Sequence, residues 1–137
     1  MIKDTPKGMP DSALDFPREA PESEYSDVIE YMEKTYPEMT GEFKNIQREQ
    51  YELFCKKQYD YGPQNIAVGT ILKTKEDIKL SMLGIWFRMN DKIERLKTLL
   101  MRDNNHAVEN ESVVDSFSDI SNYGVMAQVV ARGKWAK

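Results

Sequence analysis

The side chains best suited to chemistry in this chain are two sets of acids at helical spacing. Asp91 and Glu94 stand three residues apart, and Asp115, Asp119 and Asn122 stand at i, i+4 and i+7. At about 100° of turn per residue, each set falls on one side of a helix. Carboxylates brought close together repel, so such a cluster invites a cation. Magnesium prefers hard oxygen ligands and commonly takes one or two carboxylates together with substrate phosphates. A divalent ion between phosphate oxygens stabilises developing charge and lowers the pKa of an attacking water. The candidate metal ligands are therefore Asp91, Glu94, Asp115 and Asp119, with Asp91, Glu94 and Asp119 as the catalytic set. The same spacing also suits solvated helix faces. Lys92, Arg95 and Lys97 lie beside Asp91 and Glu94 as salt-bridge partners, and Glu49 with Glu52 forms a competing acidic pair.

Basic and aromatic residues offer the complementary half of a phosphate site. Arg88, Lys92 and Arg95 recur on one side of the same helix. Arginine presents a fork of donors to an oxyanion, but these cations could equally neutralise the neighbouring acids. The run Lys57-Gln58-Tyr59-Asp60-Tyr61-Gly62 with Asn65 brings a cation, aromatics and amides to a helix end. Tyr61 could stack on a base and Asn65 could hydrogen-bond one. The alternative is a helix cap with tyrosines covering the core. Trp86 reads as core, and Trp135 as an anchor for the C-terminus. His106 lies among Asp103, Asn104 and Asn105, with no evident nucleophile to make a triad.

Four helices are needed to position these groups. The first is capped by Ser26 and runs to Thr35, where Tyr36-Pro37 breaks it. The second runs from about Thr40 to Tyr59, with Phe43, Ile46, Leu53 and Phe54 on its apolar side, and ends at Asp60-Tyr61-Gly62-Pro63. Residues 61–76 read as a loop. The third helix, Glu76 to Arg102, buries a stripe of Met82, Ile85, Trp86, Met89, Ile93, Leu96 and Leu100. Gly84 inside it permits close helix packing. Asp103 to Glu109 is a polar turn. The fourth helix, Glu111 to Arg132, turns Val113, Phe117, Ile120, Gly124, Ala127 and Ala131 inward and stops at Gly133. Helix following helix with no alternating strand predicts an all-α bundle of four to five helices over residues 24–137. Residues 1–23 carry Pro6, Pro10, Pro17 and Pro21 and read as an extended or disordered arm.

Composition narrows the function classes. A chain of 137 residues suffices for one domain with one core. A net charge of −4 argues against direct nucleic-acid binding, which needs a basic surface, but not against a nucleotide held through a cation. The single cysteine, Cys55, rules out an internal disulfide and a cysteine-rich zinc site. The longest apolar runs fall short of the roughly 20 residues that span a bilayer. The acidic, proline-rich N-terminus is unlike a signal peptide, so the expected compartment is the cytoplasm.

Three stretches in combination carry a resemblance. They are Lys57-Gln58-Tyr59-Asp60-Tyr61-Gly62 with Asn65-Ile66; Gly84-Ile85-Trp86-Phe87-Arg88-Met89-Asn90-Asp91-Lys92-Ile93-Glu94-Arg95-Leu96; and Asp115-Ser116-Phe117-Ser118-Asp119-Ile120-Ser121-Asn122-Tyr123. Over residues 43–132 the chain resembles the nucleotide-modification-associated domain family (type one), found largely in phages and bacteria. That family is similar to the MazG-like all-helical nucleotide pyrophosphohydrolases. The resemblance implies a MazG-like bundle, Mg²⁺, a homo-oligomer (dimer or tetramer), and a phage-type role in the host cytoplasm. It matches the acidic pairs of those enzymes to Asp91-x-x-Glu94 and to the Asp115, Asp119 and Asn122 edge. Taken with the basic, aromatic and amide residues above, the candidate nucleotide-binding positions are Lys57, Asp60, Tyr61, Asn65, Arg88, Lys92, Arg95, Asn122 and Tyr123. Two differences stand out: Asp91 takes the place of a glutamate, and Asn122 puts an amide where an acid is usual.

The leading expectation is thus a Mg-dependent nucleotide pyrophosphohydrolase-like protein acting on a (deoxy)nucleotide. The alternative is a non-catalytic protein that sequesters a nucleotide, including one used in host-defence signalling. A third possibility is an interaction protein that uses its proline-rich arm as the contact segment.

Overall fold

The computed structural model describes residues 22–102 and 113–137, and these are all-helical with no strand among them. The helices are α1 (Glu22–Thr35), α2 (Pro37–Tyr61), α3 (Lys75–Leu100) and α4 (Val113–Ala131), with a 3₁₀ turn, Pro63–Ile66, between α2 and α3. The chain divides after Leu53, within α2, into two compact units. Of the arm expected at residues 1–23, residues 1–21 lie outside the described residues, as does the polar turn with His106, while α1 begins at residue 22.

In the first unit, α1 begins at Glu22, and Ser26 lies inside it rather than capping it. Pro37 starts α2 instead of merely breaking α1. In the first turn, proline lacks only an N–H that would have no intrahelical partner anyway. Lys44 Nζ pairs with Glu33 Oε2 at 3.1 Å. On one straight helix these residues would be separated by roughly 16 Å of rise, so the chain bends at Tyr36. No residue between 25 and 53 is buried.

The core belongs to the second unit. Ile66, Ile85, Met126, Val130 and Trp135 form its centre, with Phe54, Met82, Met89 and Tyr123 packed around them. Helices α3 and α4 pack on one another, and the 3₁₀ turn packs on α3. Helix α3 starts with a capping box: the Asp77 N–H donates to Thr74 Oγ1 at 3.1 Å, and Asp77 Oδ2 accepts from the Thr74 N–H at 3.4 Å. Helix α4 ends where Gly133, at φ 68°, lets its own N–H reach Val130 O and the Lys134 N–H reach Val129 O. This pair of reversed bonds is the expected glycine stop.

Two packing expectations are corrected. Trp86, Ile93 and Leu100 are exposed, and Ser81 joins Ile85 and Leu96 in the buried set of α3. On α4 the buried residues are Ser116, Met126 and Val130, while Phe117 is exposed. On α3, Ile85 and Leu96 lie on the expected stripe and Ser81 is added beside it, whereas on α4 the buried positions fall one residue before the expected ones; the two buried serines are held by partners. Ser81 Oγ donates to Ile66 O at 2.7 Å, and Ser116 Oγ accepts from Arg95 Nη1 at 3.0 Å. An apolar-periodicity reading discards such residues. Gly84 admits the loop rather than a second helix: a Cβ there would meet Val68 Cγ2 at 3.3 Å. Trp135 is an anchor as expected, buried, with its indole N–H on Pro63 O at 2.7 Å and its ring edge-on to Phe54.

Candidate functional site

The second unit carries a pocket of about 260 Å³. The last two turns of α2 supply Phe54, Lys57, Gln58 and Tyr61, at i, i+3, i+4 and i+7, which is one helix face. The 3₁₀ turn supplies Asn65. Helix α3 supplies Arg88 and Lys92, one turn apart, and α4 supplies Asp119, Asn122, Tyr123 and Met126. Each wall is held by its own local logic. Gly62, at φ 76°, closes α2, and its N–H bonds Gln58 O at 2.9 Å. The turn that follows is tied to α3 through Ser81, and Arg88 Nη2 donates to Asn65 O at 3.4 Å.

Asp119 is the electrostatic centre. Its side chain is only 17% exposed, and it lies between two ammonium groups, Lys57 Nζ at 3.1 Å from Oδ1 and Lys92 Nζ at 3.1 Å from Oδ2. A carboxylate withdrawn from water needs such partners. With Arg88, the wall holds three cations against one carboxylate. The pocket is therefore cationic within a chain whose net charge is −4. Two further polar atoms of the lining, Gln58 Oε1 and Asn65 Oδ1, are buried without a hydrogen-bond partner.

The structure brings together Lys57, Tyr61, Asn65, Arg88, Lys92, Asp119, Asn122 and Tyr123 of the sequence-derived set. It leaves Asp60, Asp91, Glu94 and Asp115 exposed and outside the pocket lining. Arg95 is turned to Ser116 of α4 rather than to the pocket. Among the described residues, no three acids, histidines or cysteines gather in a metal-holding group. The oxygen chemistry of Asp119 and Asn122 suits a hard cation, but in this arrangement Asp119 is engaged by lysines. Sequence reasoning missed Gln58 as a pocket residue. The signal was present, because Gln58 shares the i, i+3, i+4 face of Phe54, Lys57 and Tyr61, whereas Asp60 does not.

Comparisons of the chain with protein-family models, with curated proteins and with solved structures find nothing that matches. No helix among the described residues is long and apolar enough to cross a membrane.

Proposed function

We propose that the second unit binds a phosphorylated ligand of the nucleotide class, with Lys57, Arg88 and Lys92 contacting phosphate oxygens. The observation that carries this reading is the bracketed carboxylate: Asp119 sits where two lysines converge beside an arginine-lined pocket. A phosphate that enters competes with Asp119 for the same ammonium groups, and charge-assisted bonds of this kind are the strong ones. The pocket volume lies just below the roughly 300–1,000 Å³ common for small-molecule sites. It suits the phosphate-bearing half of a nucleotide, with Tyr61 at 64% exposure on its rim as a stacking surface.

The resemblance to nucleotide-modification-associated domains supports the same ligand class and motivates a second reading, Mg-dependent pyrophosphohydrolysis. The placement of Asp119 and Asn122 together in the lining favours that reading. Asp119 is the residue that would hold the ion, which would supply charge neutralisation at the phosphates. We further take the chain to act as a homo-oligomer. Support comes from Trp86 and Phe87 of α3, each 55% exposed and stacked edge-on at 5.5 Å.

The test is incubation of the protein with separate ribo- and deoxynucleotides, with and without Mg²⁺, followed by chromatography and a binding assay. Saturable binding with intact recovery supports sequestration. Metal-dependent release of pyrophosphate supports the hydrolase. Neither binding nor conversion would overturn both.

A further inference from the structure

The pocket presents two acceptors that the protein leaves unanswered. Gln58 Oε1 and Asn65 Oδ1 are buried and make no hydrogen bond. A buried acceptor without a partner is costly, and native proteins carry few of them. The nearby cations do not answer them. Lys57 and Lys92 reach Asp119, and Arg88 Nη2 reaches the main-chain carbonyl of Asn65 rather than its side chain. The two amides come from separate elements, Gln58 from the end of α2 and Asn65 from the 3₁₀ turn. Both line the cationic pocket.

We propose that Gln58 and Asn65 form the discriminating end of this pocket and accept two hydrogen bonds from the non-phosphate part of the ligand. This rests on the reading that the cations hold a phosphate. The ligand class then narrows to phosphorylated compounds that carry a pair of adjacent donors. Among nucleotides, the N1–H and N2–H edge of guanine and the cis-diol of ribose present such pairs. A ligand offering only acceptors there would leave both amide oxygens unpaired, and sites built this way discriminate strongly.

The experiment is calorimetric titration of the full chain with inorganic phosphate, GMP, dGMP, AMP and dAMP. A guanine source predicts that GMP and dGMP bind alike and above AMP. A diol source predicts that GMP and AMP bind alike and above both deoxynucleotides. In either case Gln58→Met and Asn65→Leu each lower affinity for the favoured nucleotide about five-fold and change phosphate affinity less than about two-fold. Their Tm without ligand does not fall, because an apolar group replaces an unpaired acceptor. Nucleotides that bind no better than phosphate would overturn the proposal. So would variants that lose both probes equally, or that lose neither, as acceptors satisfied by water would. If phosphate and nucleotides all fail to bind the unaltered protein, the phosphate reading itself falls and takes this one with it.

Discussion

Asp119 holds two ammonium groups that a ligand phosphate would also need, and this competition sets the residue-scale expectations. Lys92→Gln or Arg88→Gln removes one charge-assisted contact and lowers phosphate affinity about ten-fold, measured by titration. Asp119→Asn removes the internal competitor, so phosphate binds about five-fold tighter, while the folded state loses about 1 kcal/mol. Weaker phosphate binding in Asp119→Asn would mean that the carboxylate itself takes part in holding the ligand. The cationic members of the pocket were legible because Arg88 and Lys92 are one turn apart. The destination of Asp119 was not. Acids at i, i+4 spacing look alike whether they face a metal, a lysine or water, and only the placing of Lys57 and Lys92 beside Asp119 decides among them.

At the scale of elements, local signals were read well where capping chemistry is strong and poorly where polar residues are buried. The end of α4 at Gly133 was legible because only a left-handed residue lets the last carbonyls be satisfied there. The 3₁₀ turn at Pro63–Ile66 was not, since its stability comes from Ser81 and Trp135, far off in sequence. Thr74→Ala removes the α3 cap and costs about 1 kcal/mol in chemical denaturation, with phosphate affinity unchanged. Ser81→Ala strands the buried Ile66 carbonyl and costs about 1–3 kcal/mol. It also weakens nucleotide binding, because the turn it ties down carries Asn65. Equal stability in Ser81→Ala would show that the tie is dispensable.

Over the described residues, burial is concentrated in 54–102 and 113–137, and residues 25–53 contain no buried side chain. Amide exchange is therefore expected to be slowest at Ile85, Met126 and Val130 and much faster across α1 and the start of α2. Uniform protection along the chain would contradict that distribution. The all-helical class was legible from periodicity, since a 3.6-residue repeat survives small errors of phase. The division after Leu53 was not, because α2 runs through it without a break. If the exposed Trp86 and Phe87 pair marks a contact between copies, Trp86→Ser with Phe87→Ser shifts the sedimentation of the protein toward the monomer. The most direct single measurement is calorimetric titration of the unaltered protein and Lys57→Gln with a nucleoside monophosphate. Saturable one-site binding that weakens about ten-fold in Lys57→Gln is the predicted result. Absence of binding, or equal affinity in both proteins, would contradict a phosphate site between Lys57 and Lys92.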